Sequence, residues 1–214
     1  MVQSKLQQMQ GNLKRSNMKV KLLNATPLKI AVKAIRMCYD SCGDDMGEKD
    51  IKLIRSIIKN GHTSTIEHIN FTFEIDGISR ACLQELARHR HASLSVESTR
   101  YTLKKLKDID IKEFKYEDYL VQTNNPVVDR YSRASLDHTI SCLKEHSIKN
   151  DIAKYTLPES YKTSLIWSIN ARSLRNFLEL RSSSKALWEM QELSKEIIKA
   201  IPKEYMILFE DILN

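Results

Sequence analysis

The stretch that decides the fold runs from Ile69 to Arg90 and reads INFTFEIDGISRACLQELARHR. Its first eight residues alternate between apolar and polar side chains, which predicts a strand with one buried face. The residues expected on the buried face are Ile69, Phe71, Phe73 and Ile75. Gly77 is expected to end this strand.

The second half of the stretch has the period of a helix, with Ile78, Cys82 and Leu86 on one stripe. Arg88 and Arg90 then fall at the C-terminal end of the helix, where the helix dipole favours a cation by about 0.3–1 kcal/mol. Residues 92–96 are expected to form a loop. Because loops on a rigid framework often carry binding groups, this loop is a candidate for part of a site.

Further helices and a strand are expected on both sides of this stretch. Two amphipathic helices are expected before it. The first has Val32, Ile35 and Tyr39 on its inner face. The second has Ile54, Ile57 and Ile58 on its inner face and ends at Gly61. SLIWSIN (164–170) is expected to be a strand that carries Leu165, Trp167 and Ile169. NARSLRNFLELR (170–181) and KALWEMQELSKEIIKAI (185–201) are expected to be helices, the latter with Ala186, Met190, Leu193 and Ile197 inward. The fold class is therefore α/β or α+β, with helices dominant.

Composition limits the classes of function. The chain has 214 residues and a formal charge of +7, and no apolar run is long enough to span a bilayer. We expect a disordered extension over residues 1–17, which are polar throughout, and one domain over residues 18–214. The cysteines, Cys38, Cys42, Cys82 and Cys142, have no CxxC spacing. They favour a reduced, cytoplasmic protein, and no metal site is expected.

The positive charge favours an anionic partner, which is either a nucleic acid or a small molecule. RHRHASLSVESTRY (88–101) combines three arginines with four serine or threonine side chains, a set suited to binding phosphates and planar carbonyls. A basic nucleic-acid-binding protein without enzymatic activity is the alternative, with the lysines of LKKLKDIDIKEFK (103–115) as phosphate ligands. Those lysines alternate with acidic residues, which weakens the alternative.

Three sequence blocks resemble the flavin-dependent thymidylate synthases. Seven residues separate the RHR element at Arg88 from Ser98, which is followed by Arg100 and Tyr101. GHTSTIEHINFTF, from Gly61, resembles a second element of that family. WSINARSLRNFLELR, from Trp167, resembles a third, and WEMQ follows it as expected. The resemblance covers almost all of the patterned chain.

The resemblance implies a helix-rich domain with a central, mostly antiparallel sheet and the reductive methylation of dUMP to dTMP. Methylenetetrahydrofolate would be the carbon donor, FAD the hydride carrier and NADPH the reductant. It also implies a homotetramer whose active sites lie at subunit interfaces. None of the four cysteines follows a proline, unlike the nucleophile of the thymidylate synthases that lack flavin. The flavin would then supply the redox chemistry while the protein positions it.

The resemblance also implies roles for individual residues. Those expected to bind FAD are His62, Ser64, Arg88, His89, Arg90, Val96, Asn170, Ala171, Arg172 and Asn176. Those expected to bind dUMP are Glu85, Arg88, Ser98, Thr99, Arg100, Lys154 and Arg181. Arg181 is also the expected catalytic residue, since a guanidinium at uracil N3 would stabilise the charge that develops on the ring.

The chain departs from the family pattern at three places. Ser95 and Val96 stand where the family commonly has Asn-Glu, and Glu97 comes one place later. Glu85 stands where a glutamine is usual, with Gln84 beside it. Lys154 replaces an arginine, which keeps the charge but loses the two-pronged geometry of a guanidinium.

Overall fold

The computed structural model describes residues 17–41, 47–109 and 114–213. The expected disordered extension therefore lies outside the described residues except for Asn17, and so does Cys42. The chain divides into two compact units. The sheet unit comprises the described residues of Met18–Asp76, Cys82–Val96 and Ser164–Asn214, and the helical unit comprises Asn17 and those of Gly77–Ala81 and Glu97–Thr163.

Within the described ranges, four strands form one sheet in the order β1-β2-β4-β3. They are β1 (Lys19–Ala25), β2 (Asn70–Ser79), β3 (Ala92–Val96) and β4 (Lys162–Asn170). β1 pairs antiparallel with β2, so that Lys19 lies opposite Asp76. β3 pairs antiparallel with β4, so that Ala92 lies opposite Ile169. The mixed fold class with a mostly antiparallel sheet is therefore confirmed.

Two predictions about the strands are wrong. Residues 92–96 form the edge strand β3 and not a loop. Serine favours turns, but Ser93 and Ser95 alternate with less polar residues in the two-residue period of a strand. β2 continues past Gly77 to Ser79, and Gly77 takes a φ of +78° inside the strand. A glycine inside a strand often marks an irregularity, and here it does not mark the end. Ile78 is buried, as predicted, but in the strand.

Among the described residues, six α-helices have more than one turn. They are α1 (Lys29–Cys38), α2 (Glu48–Lys59), α3 (Arg80–Leu86), α4 (Pro126–Lys144), α5 (Ala171–Arg181) and α6 (Trp188–Ala200). Single α-helical turns span Thr99–Thr102, Lys104–Lys107, Tyr116–Tyr119 and Asn150–Ala153, and 3-10 helices span Thr63–His68, Lys154–Thr156 and Lys203–Leu208. No helix of the described residues is both long enough and apolar enough to cross a membrane.

The predicted inner faces of the helices are largely confirmed. The buried residues include Val32, Ile35, Ile54, Ile57, Ile58, Met190, Leu193 and Ile197. Gly61 has a φ of +75° just after α2, as expected for a residue that closes a helix. Tyr39 is 64% exposed, so its predicted inward position is wrong: it lies past the last residue of α1, where the helical stripe has ended. Ala186 is half-buried and precedes α6.

The core of the sheet unit is a set of aromatic rings that supports α5. Phe73 packs on Trp167, and Trp167 meets Phe177 of α5 edge to face, with ring centroids 5.1 Å apart. All three side chains are fully buried. Because truncating such a ring costs about 3–5 kcal/mol, these contacts fix α5 against the sheet.

The helical unit has its own core around α4, whose residues Leu136 and Leu143 are buried with Leu103, Leu106 and Tyr161. Asn125 caps α4, since its side chain accepts from the backbone N–H groups of the second and third helical residues.

Candidate active site

An open cleft of about 780 Å³ lies in the sheet unit. This volume is within the usual range for cofactor and ligand pockets. The residues that line it are Glu67, Arg88, His89, Arg90, His91, Asn170, Arg172, Ser173, Asn176, Leu180 and Arg181. Seven of the residues predicted to form the site are among them: Arg88, His89, Arg90, Asn170, Arg172, Asn176 and Arg181. The chain therefore brings the RHR and NAR elements to one surface, although about eighty residues separate them.

The junction between β4 and α5 positions one side of the cleft. Asn170 caps α5 by accepting a 2.9 Å hydrogen bond from the backbone N–H of Ser173. Ala171, at the first position of the helix, is fully buried, and its N–H donates to the carbonyl of Ile69 at 2.8 Å. Arg172 and Asn176 are four residues apart and therefore lie on one face of the helix. Ala171 anchors this junction, and its side chain lies away from the cleft.

Arg181 is held by the end of α3. Its Nη1 donates to a carboxylate oxygen of Glu85 at 2.8 Å, and its Nη2 donates to the backbone carbonyl of Glu85 at 3.3 Å. Its Nε donates to Nε2 of His89 at 3.0 Å. The side chain is 16% exposed and still lines the cleft. Two of the five guanidinium N–H bonds, one on each Nη, remain for a ligand.

His89 accepts a hydrogen bond and is therefore neutral, with its proton assigned to Nδ1. Burial lowers the pKa of His89 from its ordinary value, and the positive charges of Arg181 and Arg88 lower it further. The imidazole ring also meets Phe177 edge to face, with centroids 5.0 Å apart. His89 thus links the core to the guanidinium of Arg181.

The other charged groups of the cleft differ in how they are paired. Arg172 forms an ion pair with Glu67 at 2.6 Å, and both side chains are about half exposed. Arg90 is exposed and has no hydrogen-bond or ion-pair partner among the described residues. A free guanidinium beside paired ones is the group best placed to bind an incoming anion.

Sequence reasoning missed four residues that line the cleft: Glu67, His91, Ser173 and Leu180. All four stand inside or next to the blocks that carried the resemblance, so their positions alone could have suggested them. Leu180 is 55% exposed near the end of α5.

Four predicted dUMP residues belong to the helical unit: Ser98, Thr99, Arg100 and Lys154. Ser98 precedes the turn Thr99–Thr102, which packs on the turn Asn150–Ala153. Arg100 forms a 3.3 Å ion pair with Asp151, and its carbonyl accepts from the side chain of Asn150. Lys154 follows that second turn directly, with its Nζ 5.6 Å from the ring centre of Tyr155.

Besides Ala171, three predicted FAD residues belong to the sheet unit but do not line this cleft. His62 and Ser64 lie before and within the 3-10 helix Thr63–His68 and are exposed. Val96 ends the edge strand β3 and is 38% exposed.

The described cysteines do not supply the cleft with a nucleophile. Within the described ranges, no cysteine lines it. Cys82 is fully buried, and burial strongly raises the pKa of its thiol, which makes it a poor nucleophile. Across the same residues, no group of three His, Cys, Asp or Glu side chains could hold a metal ion.

The chain matches the family described as thymidylate synthase complementing protein over residues 21–205. It is 51% identical to the flavin-dependent thymidylate synthase of Helicobacter pylori over 199 residues, which cover 88% of this chain and 96% of that one. It is 53% identical to the enzyme of the same name from Wolinella succinogenes, over 90% of this chain and 97% of the relative.

The chain belongs to the flavin-dependent thymidylate synthases.

The fold of this flavin-dependent thymidylate synthase also matches a solved member of the family. A crystal structure of thymidylate synthase X from Helicobacter pylori with FAD and dUMP superimposes with a TM-score of 0.86 at 48% sequence identity. The match covers 92% of this chain and 99% of that chain. The family resemblance predicted from the sequence blocks is confirmed, and the nucleic-acid alternative is not favoured.

Proposed function

We propose that this chain converts dUMP to dTMP by reductive methylation, with methylenetetrahydrofolate as carbon donor, FAD as hydride carrier and NADPH as reductant. The observation that carries the proposal is the cleft in which the RHR and NAR elements of a flavin-dependent thymidylate synthase meet. The bound FAD and dUMP of the Helicobacter pylori structure support it.

The charge of the cleft fits FAD. Four guanidinium groups line it, from Arg88, Arg90, Arg172 and Arg181, and Glu67 is the one carboxylate among its lining residues. The pyrophosphate of FAD is anionic, and guanidinium groups bind phosphate oxygens through paired N–H donors. Arg90, which has no hydrogen-bond or ion-pair partner among the described residues, can form such bonds without breaking one there.

The residues proposed for FAD follow from the resemblance together with this charge. The proposed set is His62, Ser64, Arg88, His89, Arg90, Val96, Asn170, Ala171, Arg172 and Asn176. FAD would supply the hydride when bound. The task of these residues is to hold it and to orient it against the substrate.

The residues proposed for dUMP are Glu85, Arg88, Ser98, Thr99, Arg100, Lys154 and Arg181. Arg181 is proposed as the catalytic residue among them. Its two free N–H bonds could stabilise negative charge on the uracil ring in a partly buried site, where such a contact is stronger than in water. The state of the described cysteines agrees, because none of them lines the cleft to attack the ring as a thiolate.

The remaining features of the proposal concern the whole protein. We propose that residues 18–214 form the catalytic domain, that four copies assemble with shared active sites, and that the enzyme is cytoplasmic. If FAD binds only the assembled form, the melting temperature should rise with FAD and with protein concentration. A fully active monomer in size-exclusion chromatography would contradict the assembly.

One assay tests the reaction. Purified protein is incubated anaerobically with dUMP, and dTMP is measured by chromatography in the presence of FAD, NADPH and methylenetetrahydrofolate. Reactions that lack one of the three are the controls. We expect product only in the complete mixture, and the proposed function fails if the complete mixture gives none.

A further inference from the structure

Glu85 lies between two arginines of the cleft. One carboxylate oxygen is 2.8 Å from Nη1 of Arg181, and the other is 3.4 Å from Nη1 of Arg88. The pair with Arg181 is shorter, and its arginine is only 16% exposed, whereas the side chain of Arg88 is 72% exposed. The contact with Arg181 is therefore the one that solvent screens less.

We propose that Glu85 is a positioning residue, which holds the guanidinium of Arg181 in one orientation before any ligand enters the cleft. This inference rests on the proposed function and revises it at one residue, since Glu85 acts through Arg181 and not as a contact with dUMP. Arg181 donates three hydrogen bonds, two to Glu85 and one to His89, so its two remaining N–H bonds point in a set direction. A donor that is already oriented need not reorganise when charge develops on a substrate.

The bridge requires a carboxylate. An ionised carboxylate has two oxygens that both accept, so it can serve two guanidinium groups at once. A glutamine has one accepting oxygen and one NH2 group, and that NH2 would face the N–H donors of the second arginine. Glu85, at a position where glutamine is usual in the family, therefore gives this chain a contact that a glutamine cannot reproduce.

His89 completes the arrangement on the other side of Arg181. Protonation of His89 would place an N–H against the Nε–H of Arg181 and break that hydrogen bond. The charged groups that act on His89 are Arg181 and Arg88, which lower its pKa, and Glu85, which raises it. Arg90, His91, Arg172 and Glu67 line the same cleft. Removing the charge of Glu85 should therefore lower the pKa of His89 further.

Glu85→Gln is the decisive variant. Glu196→Gln is the matched control, because the Glu196 carboxylate pairs with Lys199 on α6 and does not line the cleft. With full flavin occupancy and saturating dUMP, we expect the single-turnover rate of Glu85→Gln to fall by about 10- to 100-fold, as a misplaced catalytic group does. The KM for dUMP should change much less than the rate. Glu85→Asp, which keeps the charge, should retain more of the rate than Glu85→Gln.

A second measurement does not depend on turnover. The His89 resonance is assigned by its loss in His89→Gln and then titrated by NMR in the wild type and in both Glu85 variants. We expect the titration of His89, and with it the acidic limb of the pH–rate profile, to move to lower pH in Glu85→Gln only. If the wild type makes no dTMP, the proposed function fails. This titration still tests whether the charge of Glu85 acts on His89 beside Arg181.

Three results would overturn the proposal. An unchanged rate and an unchanged His89 titration in Glu85→Gln would make Glu85 an ordinary surface acid. A raised KM with a normal single-turnover rate would make it a direct ligand of dUMP. A Glu85→Gln variant more active than Glu85→Asp would show that the charge is not needed.

Discussion

Arg175 of α5 donates to both carboxylate oxygens of Asp211, at 2.6 and 2.7 Å. Its Nη1 also donates to the backbone carbonyl of Leu208. The side chain of Arg175 is only 11% exposed, so it fastens the C-terminal segment to the helix that carries one side of the cleft. The rigidity of α5 therefore depends on residues far from the cleft in sequence.

This contact predicts how stability depends on pH. The hydrogen bond from Arg175 lowers the pKa of Asp211 below its ordinary value of 3.8. The stabilisation is present above that ordinary value and is lost as the pH falls through the lower pKa of the folded state. Arg175→Met should cost about 1–3 kcal/mol, because it leaves partly buried acceptors without a donor. Urea unfolding of the two proteins between pH 2.5 and 7 measures the difference.

Asp211→Asn separates the charge from the packing. Its side chain is 46% exposed, so its loss should cost only about 0.2–1 kcal/mol at neutral pH, and the cost should vanish in strong acid. A difference that stays constant across the pH range would mean that the ion pair does not account for the stabilisation.

The capping role of Asn170 predicts a stability effect that is distinct from flavin binding. Asn170→Ala should destabilise the apo protein by about 0.5–2 kcal/mol, since the N–H of Ser173 loses its acceptor. Asn170→Asp keeps an accepting oxygen at the helix start and should retain the stability of the apo protein. Its added negative charge should nevertheless weaken FAD binding if Asn170 contacts the cofactor. Thermal unfolding measures the effect on stability, and flavin titration measures the effect on FAD binding. Equal FAD affinity in the wild type, Asn170→Ala and Asn170→Asp would show that Asn170 does not contact FAD.

The sequence predicts those parts of the fold in which the apolar period is long and regular. β2 alternates bulky apolar side chains with polar ones, and α2 has three isoleucines on one face, so both were predicted. β1 and α4 were not predicted. β1 is an edge strand with no fully buried residue, and the buried residues of α4 include only two leucines, with Thr139 between them. Where the apolar pattern is weak, tertiary contacts determine the secondary structure.

The candidate site, like the fold, is predicted from the sequence only in part. The blocks that carry Arg90 and Arg172 predict that both belong to one site, and the structure places both at the cleft. The bond between Arg181 and Glu85 joins residues 96 positions apart, and no local pattern records which acid faces which arginine. The absence of a partner for Arg90 within the described residues is likewise visible only in three dimensions.

Ser98→Ala tests whether the hydroxyl of Ser98 binds or reacts. Ser98 is exposed, and its side chain does not cap the turn that follows it, so the substitution leaves the fold intact. We expect dUMP binding to weaken by about 0.5–1.5 kcal/mol, the value of one hydrogen bond, with measurable turnover remaining. Calorimetric titration with dUMP and a steady-state assay give the two quantities. Complete inactivity with normal dUMP affinity would instead make Ser98 a nucleophile.

The last prediction separates two arginines of the same cleft by what each already contacts. Arg90 has no hydrogen-bond or ion-pair partner within the described part of the chain, so Arg90→Ala breaks no such bond there and should leave the apo protein nearly as stable as the wild type. If Arg90 binds the flavin, this variant should lose bound FAD first, and excess FAD should restore part of its rate, because the interaction is made equally in the ground and transition states.

Arg181→Ala should behave in the opposite way. The variant should still bind FAD and reoxidise normally with oxygen, yet lose dTMP formation by roughly 10²–10³-fold, as when one preorganised charge-stabilising donor is removed. It should also be less stable than Arg90→Ala, since it leaves the half-buried Glu85 carboxylate without the guanidinium that holds it. Flavin absorbance, thermal unfolding and single-turnover rates at saturating dUMP distinguish the two variants. Only a contact strengthened in the transition state changes the rate at full flavin occupancy. A normal single-turnover rate in Arg181→Ala would therefore contradict the catalytic role of Arg181. Full flavin occupancy with a failed reaction in Arg90→Ala would contradict the flavin-binding role of Arg90.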